Sequence, residues 1–261
     1  MKICMAGACG RMGRRILDMA ADAEDIEVGG AFDLPENAGA GIQLGSGAKV
    51  AVAGSAAEGL AEADVLIDFT LAEACVANVK TAAEQGIPAV VGTTGLTATQ
   101  VAELKTFAGQ VPIVYAPNMS VGVNLLFKLT REVAATLGLD YNVEIVEAHH
   151  NQKKDSPSGT AVRLGECAAD GLGLSYDKHA VHGRQGLAGA RPKEQIGMHA
   201  VRGGDIVGEH TVSFISQGER VELVHKAHSR DNFARGALVA ARFAVKAEPG
   251  LYDMQDVLGL K

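Results

Sequence analysis

Residues 147–160 read Glu-Ala-His-His-Asn-Gln-Lys-Lys-Asp-Ser-Pro-Ser-Gly-Thr, the densest run of reactive side chains in the sequence. His149 and His150 close a strand, Lys153 and Lys154 lie in the polar loop after it, and Ser158-Gly159-Thr160 opens a helix. An imidazole can give or take a proton near neutral pH. Ammonium groups supply fixed positive charge, and the N–H groups of a helix start suit a carboxylate. Each residue alone is equally at home in a strand end, a solvated turn or a helix cap. Together they describe a proton-transfer group beside an anion site.

A second chemical feature opens the chain. The turn Gly7-Ala8-Cys9-Gly10-Arg11-Met12-Gly13 follows an apolar strand and precedes a helix. Its glycines at 7, 10 and 13 differ from the usual G-x-G-x-x-G, with Cys9 in place of the middle glycine. The physics of a dinucleotide site is retained: a tight turn, close backbone approach, and a helix start that favours phosphate. Asp33 ends the second strand, where an acid can accept from ribose hydroxyls. Asp33 would repel a 2′-phosphate and so favour NAD, whereas Arg11 and Arg14 could supply charge for NADP. Gly92-Thr93-Thr94 and Ala116-Pro117-Asn118-Met119 sit at the ends of later strands, where ligands of open α/β sheets bind. Both segments could border the nicotinamide, or could simply cap helices.

The elements that must position these groups fall into two patterns. Strands are expected at 2–6, 26–32, 63–70, 88–94 and 111–116. Helices are expected at 11–21, 72–85 and 98–108, with a Gly-rich loop at 37–47. The near-continuous apolar run at 63–70 suits a strand covered on both faces. Strand–helix alternation with short connections implies a doubly wound parallel sheet. After Asn118 the pattern changes. A long helix at 121–137 precedes a strand at 141–150, in which Val143, Ile145, Glu147 and His149 share one face. A helix follows at 159–172, then an irregular stretch at 173–194. Three strands at 196–202, 206–217 and 220–228, with turns at Gly203-Gly204 and Gly218, are expected to pair antiparallel. A helix at 233–247 and a short tail close the chain. The fold class is therefore α/β: an N-terminal Rossmann-type domain plus a second α+β domain with an open mixed sheet.

Composition narrows the partners. The chain has 261 residues, 47% hydrophobic and 21% charged, which suits a globular protein with a sizeable core. Its formal charge of −7 and lack of Trp argue against nucleic acid and anionic membranes as partners. No apolar run is long enough to span a bilayer, and no signal peptide is evident. The cysteines Cys4, Cys9, Cys75 and Cys167 form no metal spacing, so reduced thiols, a cytoplasmic location and no metal are expected. The open sheet at 196–228 has edges and a face to cover, which points to a homotetramer. Two other readings are a semialdehyde dehydrogenase working through a cysteine thiolate, and a dinucleotide-sensing regulator.

Five segments resemble the 4-hydroxy-tetrahydrodipicolinate reductase (dihydrodipicolinate reductase) family over almost the whole chain. They are GACGRMG at 7–13, VGTTG at 91–95, APNMSVGVN at 116–124, EAHHNQKKDSPSGTA at 147–161 and RGGDIVGEHTV at 202–212. The third of these begins at the same strand end as the second proposed nicotinamide border, and the fourth is the most specific. The resemblance implies reduction of hydroxy-tetrahydrodipicolinate, by way of dihydrodipicolinate, to tetrahydrodipicolinate with NADH or NADPH, in diaminopimelate and lysine biosynthesis. It implies His149 as the acid/base, Lys153 as proton donor, and His150, Gly159 and Thr160 as contacts to a cyclic dicarboxylate. Cofactor contacts carry over to Gly7, Ala8, Cys9, Gly10, Arg11, Met12, Asp33, Gly92, Thr93, Thr94, Ala116, Pro117, Asn118 and Met119. The implied layout is a cofactor domain of 1–119 and 229–261 and a substrate-binding and tetramerisation domain of 120–228. Leu34 stands where a basic residue would serve NADP, which leaves cofactor preference open. By their chemistry alone, His149 and Lys153 could exchange roles.

Overall fold

A computed structural model describes all residues, 1–261. The chain divides into two compact units, one of Met1–Val121 with Asp231–Lys261 and one of Gly122–Arg230.

The first unit runs β1 (Lys2–Ala6), α1 (Arg11–Ala21), β2 (Glu27–Phe32), β3 (Gly41–Gln43), β4 (Lys49–Ala51), α2 (Ala56–Gly59), β5 (Val65–Asp68), α3 (Ala72–Glu84), β6 (Ala89–Val91), α4 (Ala98–Phe107) and β7 (Pro112–Tyr115). Six parallel strands form its sheet. From one edge to the other, the first is a strand at Gly250–Tyr252 near the chain end, and β7, β6, β5, β1 and β2 follow. Strands in such a sheet are buried on both faces, and the apolar runs reflect it. Ile3, Met5, Ile67 and Val90 pack on one side with Ile16 and Leu17 of α1. Cys4, Ala6, Leu66 and Val91 pack on the other with Val79 of α3 and Leu104 of α4. The Gly-rich stretch expected to be a loop contains β3, which pairs antiparallel with β4.

The second unit runs α5 (Val121–Leu137), β8 (Asn142–His149), α6 (Gly159–Leu172), α7 (Tyr176–His179), β9 (Ala180–His182), β10 (Ile196–Arg202), β11 (Gly208–Ile215) and β12 (Arg220–Ala227). The chain then returns to the first unit with α8 (Asp231–Ala244), the edge strand β13 (Gly250–Tyr252) and α9 (Met254–Val257). Alternation on β8 follows the expected faces: Val143, Ile145, Glu147 and His149 are buried, while Val146 is exposed. The covered face packs against Leu126 and Ala134 of α5 and Ala161, Leu164 and Ala168 of α6. Val146, Val201 and Val224 remain 40–50% exposed on the sheet.

The sheet is mixed, in the order β12-β11-β8-β10-β9. This corrects the expected run of three antiparallel hairpin strands. β10 pairs parallel with β8, not with β11, and β8 lies between them. The Gly203-Gly204 segment is therefore a crossover rather than a hairpin turn. It arches over the end of β8: the Gly203 N–H donates to the His149 carbonyl (3.0 Å), and the His150 N–H donates to that of Ile206 (2.8 Å). Gly204, at φ +52°, supplies the left-handed backbone that the arch requires. Part of the stretch expected to be irregular forms β9, which pairs with β10.

Candidate active site

In the first unit, β1 ends directly at the glycine turn. Gly7 has φ +77°, and a Cβ there would lie 2.6 Å from the Phe69 carbonyl oxygen. A Cβ on Gly13 would lie 2.2 Å from the Gly7 carbonyl oxygen, so strand, turn and helix are in backbone contact. Gly10 caps α1 with no side-chain bond, and no acidic residue occupies the first turn. The helix therefore opens on backbone N–H groups with no acidic side chain of its own, and these residues fit the pyrophosphate of a dinucleotide. Burial pushes the Asp33 carboxyl up, but N–H groups of Cys9 (2.8 Å), Leu34 (2.8 Å) and Asn37 (2.9 Å) outweigh it and keep it anionic. Asp33 thus ties the turn to the end of β2.

The other predicted cofactor residues divide by exposure. Arg11, Gly10, Thr94 and Pro117 face solvent, and Met12, Cys9 and Asn118 are half-buried. Ala8, Ala116 and Met119 belong to the core, so only their backbones can reach a ligand. A Cβ on Gly92 would strike the Phe69 ring at 2.2 Å. Thr93 is buried, and its hydroxyl donates to the fully buried Asp68 carboxylate (2.6 Å). Asp68 also accepts from the Thr70 hydroxyl (2.7 Å) and the Asn78 amide (2.8 Å). No sequence reading had singled out this carboxylate.

In the second unit, the predicted catalytic run converges at the end of β8. His149 is 8% exposed, and its Nδ1 lies 2.6 Å from Glu147 Oε2. Arg202, at the register position opposite His149 on β10, donates to both Glu147 oxygens at 2.8 Å. The backbone N–H of Ser158 donates to Glu147 Oε1 (2.9 Å). Burial alone would push the Glu147 carboxyl up, but Arg202, His149 and the Ser158 N–H outweigh it and hold it below the usual range. Burial lowers the proton affinity of His149, Glu147 opposes this, and Lys153 and Arg202 add to the lowering. A neutral His149 then donates Nδ1–H to the carboxylate, leaving Nε2 to exchange a proton.

Lys153 is mostly buried, and its ammonium lies 3.0 Å from the Asp155 carboxylate. His150 is half-buried and held through its backbone, while Gly159 and Thr160 are the first two residues of α6. Ser158 caps that helix, accepting from the Ala161 N–H (3.2 Å). The helix has no acidic residue in its first turn, so its N–H groups suit a carboxylate. Lys153 and the helix start thus lie on the short segment that leaves β8.

Four participants escaped the sequence reading. Arg202 read as a turn flank, and Glu147 as the neighbour of the histidines rather than a partner. His210 packs edge-on to His149 at 5.2 Å between ring centroids, and its Nε2 lies 3.1 Å from Ser158 Oγ. Burial, then the nearby His149, pushes His210 down to about 3, so its ring is neutral. Gly208 leaves room for the His149 ring: a Cβ there would lie 3.0 Å from His149 Nε2. The shared RGGDIVGEH segment was the available signal, but only strand register shows what each residue touches.

The thiols do not supply a nucleophile. Burial pushes Cys4 up to about 12 and Cys167 up to about 11, and Cys75 and Cys9 are also raised, burial being the main cause. Thiolates are scarce at neutral pH under those conditions, which removes the basis of the semialdehyde dehydrogenase reading. No group of three or more His, Cys, Asp or Glu is placed to hold a metal ion. No helix is long and apolar enough to cross a membrane.

A six-stranded parallel sheet with a glycine turn, joined in one chain to a mixed sheet bearing a buried His–Glu pair, defines an α/β protein of the Rossmann type. Family profiles sharpen this. The profile described as dihydrodipicolinate reductase, N-terminus, matches residues 1–119, and that described as dihydrodipicolinate reductase, C-terminus, matches 122–258. A protein of Syntrophotalea carbinolica named 4-hydroxy-tetrahydrodipicolinate reductase is 50% identical over 266 aligned positions, covering 100% of both chains. A protein of the same name from Geobacter sulfurreducens is 51% identical and covers 100% of this chain and 99% of its own. The fold is similar to that of dipicolinate-bound dihydrodipicolinate reductase from Paenisporosarcina sp. TG-14, with a TM-score of 0.78, 22% identity and 98% of each chain covered. The chain belongs to the dihydrodipicolinate reductase family.

Proposed function

We propose that this chain is an NAD(P)H-dependent oxidoreductase that reduces 4-hydroxy-tetrahydrodipicolinate, by way of dihydrodipicolinate, to tetrahydrodipicolinate. The reaction belongs to the diaminopimelate route to lysine. The observation that carries the reading is the His149–Glu147 pair beside Lys153 and the N-terminus of α6, in a chain half identical to reductases of that name over its full length.

When bound, the reduced nicotinamide supplies the hydride. Residues 1–119 and 229–261 hold the cofactor, through the turn 7–12, Asp33, 92–94 and 116–119. Residues 120–228 hold the substrate and form the oligomer interface. The N–H groups of Gly159 and Thr160 hold one substrate carboxylate, and His150 contacts the ring. Holding the acceptor in a fixed orientation supplies much of the rate. Lys153 or His149 delivers a proton to the reduced ring system, neutralising the charge that the hydride brings. Of the two, His149 Nε2 is the better carrier, because Nδ1 is committed to Glu147.

A homotetramer is proposed, with Val146, Val201 and Val224 on the surface that copies cover. Light scattering should return the mass of four chains, and a monomer would contradict it. The proposed compartment is the cytoplasm, where four thiols remain reduced. The activity itself is tested by following nicotinamide absorbance with NADH and NADPH, the substrate being made in situ from pyruvate and aspartate semialdehyde. Oxidation that depends on the condensation product supports the reading. Cofactor binding without turnover would instead favour a dinucleotide-sensing protein.

A further inference from the structure

We infer that Glu147 and Arg202 are positioning residues that set the tautomer of His149 and, through the same carboxylate, the start of α6. This rests on the proposed reductase reaction and deepens it. All four acceptor positions of Glu147 are filled. Oε2 takes His149 Nδ1 and Arg202 Nη1, and Oε1 takes Arg202 Nη2 and the Ser158 N–H. The Glu147 side chain is wholly buried, so water cannot stand in for a lost partner. Arg202 is equally committed: its Nη1 also donates to the Val201 carbonyl (2.7 Å) and its Nη2 to that of Asp155 (2.8 Å). That last bond fastens the loop carrying Lys153. Arg202 is thus occupied by the protein rather than offered to a substrate carboxylate.

The consequence is a single rigid joint between proton transfer and anion binding. With Glu147 ionised, the Nδ1–H tautomer of His149 is the one that satisfies the pair. The groups facing His149 are Glu147 on its own strand, Arg202 from β10, His210 from β11, and Lys153, itself paired with Asp155, from the following loop. His225 of β12 lies behind His210, at 6.5 Å between ring centroids. Among them, the anion at Glu147 raises the proton affinity of His149, and the cation at Arg202 lowers it. The two residues must therefore move the pH dependence of the reaction in opposite directions, which a purely structural role would not produce.

The experiment is a pH profile of kcat and KM for wild type, Glu147→Gln, Arg202→Met and Arg202→Lys, with NADH affinity measured separately by fluorescence. Glu147→Gln is expected to lower kcat by about 10²-fold or more, as loss of a tautomer-fixing acid does elsewhere. It should also raise the KM of the dicarboxylate and shift the His149 limb to lower pH. Arg202→Met should shift that limb to higher pH, and Arg202→Lys should hold it near the wild-type position. NADH affinity should be unchanged throughout. If Arg202→Met fails to fold and loses NADH, the Glu147→Gln shift decides alone. Wild-type kcat in Glu147→Gln, an unmoved limb, or shifts of one sign in both variants would overturn the inference. Absence of turnover in wild type would instead overturn the reductase reading on which it stands.

Discussion

Each unit buries one carboxylate completely at the carboxyl end of a strand: Asp68 on β5 in the first, Glu147 on β8 in the second. Asp68 is held by the neutral donors Thr70, Thr93 and Asn78. Glu147 is held by a guanidinium, an imidazole and one backbone N–H. Neutral donors fix the shape of a loop, and the titratable neighbours of Asp68, Cys75 and Cys4, are buried thiols kept protonated. A cation and an imidazole tie the carboxylate to a group that can exchange a proton. Strand ends of similar geometry therefore carry different work, and the partner set rather than the acid itself decides which. The glycine turn fits the same division, since the first unit presents backbone where the second presents side chains.

The contrast is tested hardest at the proposed proton carriers. His149→Gln and Lys153→Cys should each lower kcat by roughly 10²–10⁴-fold while leaving NADH affinity intact, and unchanged kcat in both would refute their assignment. Asp68→Asn comes next. Disturbing a buried hydrogen-bonded acid costs about 1–3 kcal/mol of stability, so thermal melts should show a clearly lower Tm. The pH profile of kcat should stay where it is, unlike that of the Glu147 variant, and a displaced profile would erase the distinction between the two acids.

Cofactor preference gives a smaller effect. Asp33 is held as an anion and Leu34 beside it is exposed, so NADH should give the higher kcat/KM. Leu34→Arg should improve NADPH use by about tenfold, the worth of one charge-assisted hydrogen bond. Equal use of both cofactors by the wild type would break this account.

The smallest effect at neutral pH concerns stability. Glu144, on the opposite face of β8 from Glu147, meets Arg184, Arg191 and His199. Burial pushes its carboxyl up, but those three partners outweigh it and bring it from 4.5 down to about 2. A carboxyl lowered in the folded state stabilises above its unfolded value, and that contribution fades as pH falls from about 4.5 towards 2. At most about 3 kcal/mol is at stake. Thermal melts of wild type should lose stability through this window, and Glu144→Gln should flatten the decline.

Much of the first unit was legible because its signals are local. A glycine turn between an apolar strand and a helix is written in consecutive residues, and doubly buried strands show as unbroken apolar runs. Alternation on β8 likewise placed Glu147 and His149 on one face before any contact was known. The errors lie where pairing is remote. Residues 196–202 and 206–217 look like a hairpin because few residues separate them, yet β8 intervenes. The tail gave no sign that 250–252 would add an edge strand beside β7.

By itself the sequence determined the two architectures, the phosphate turn and the cluster around His149, since periodicity, glycine placement and neighbouring residue types act over a few positions. Only tertiary structure decided that Arg202, 55 positions beyond Glu147, would clamp it and that His210 would lie against the His149 ring. Strand register sets those meetings, and register follows from how a whole sheet packs on its helices, which no single segment encodes.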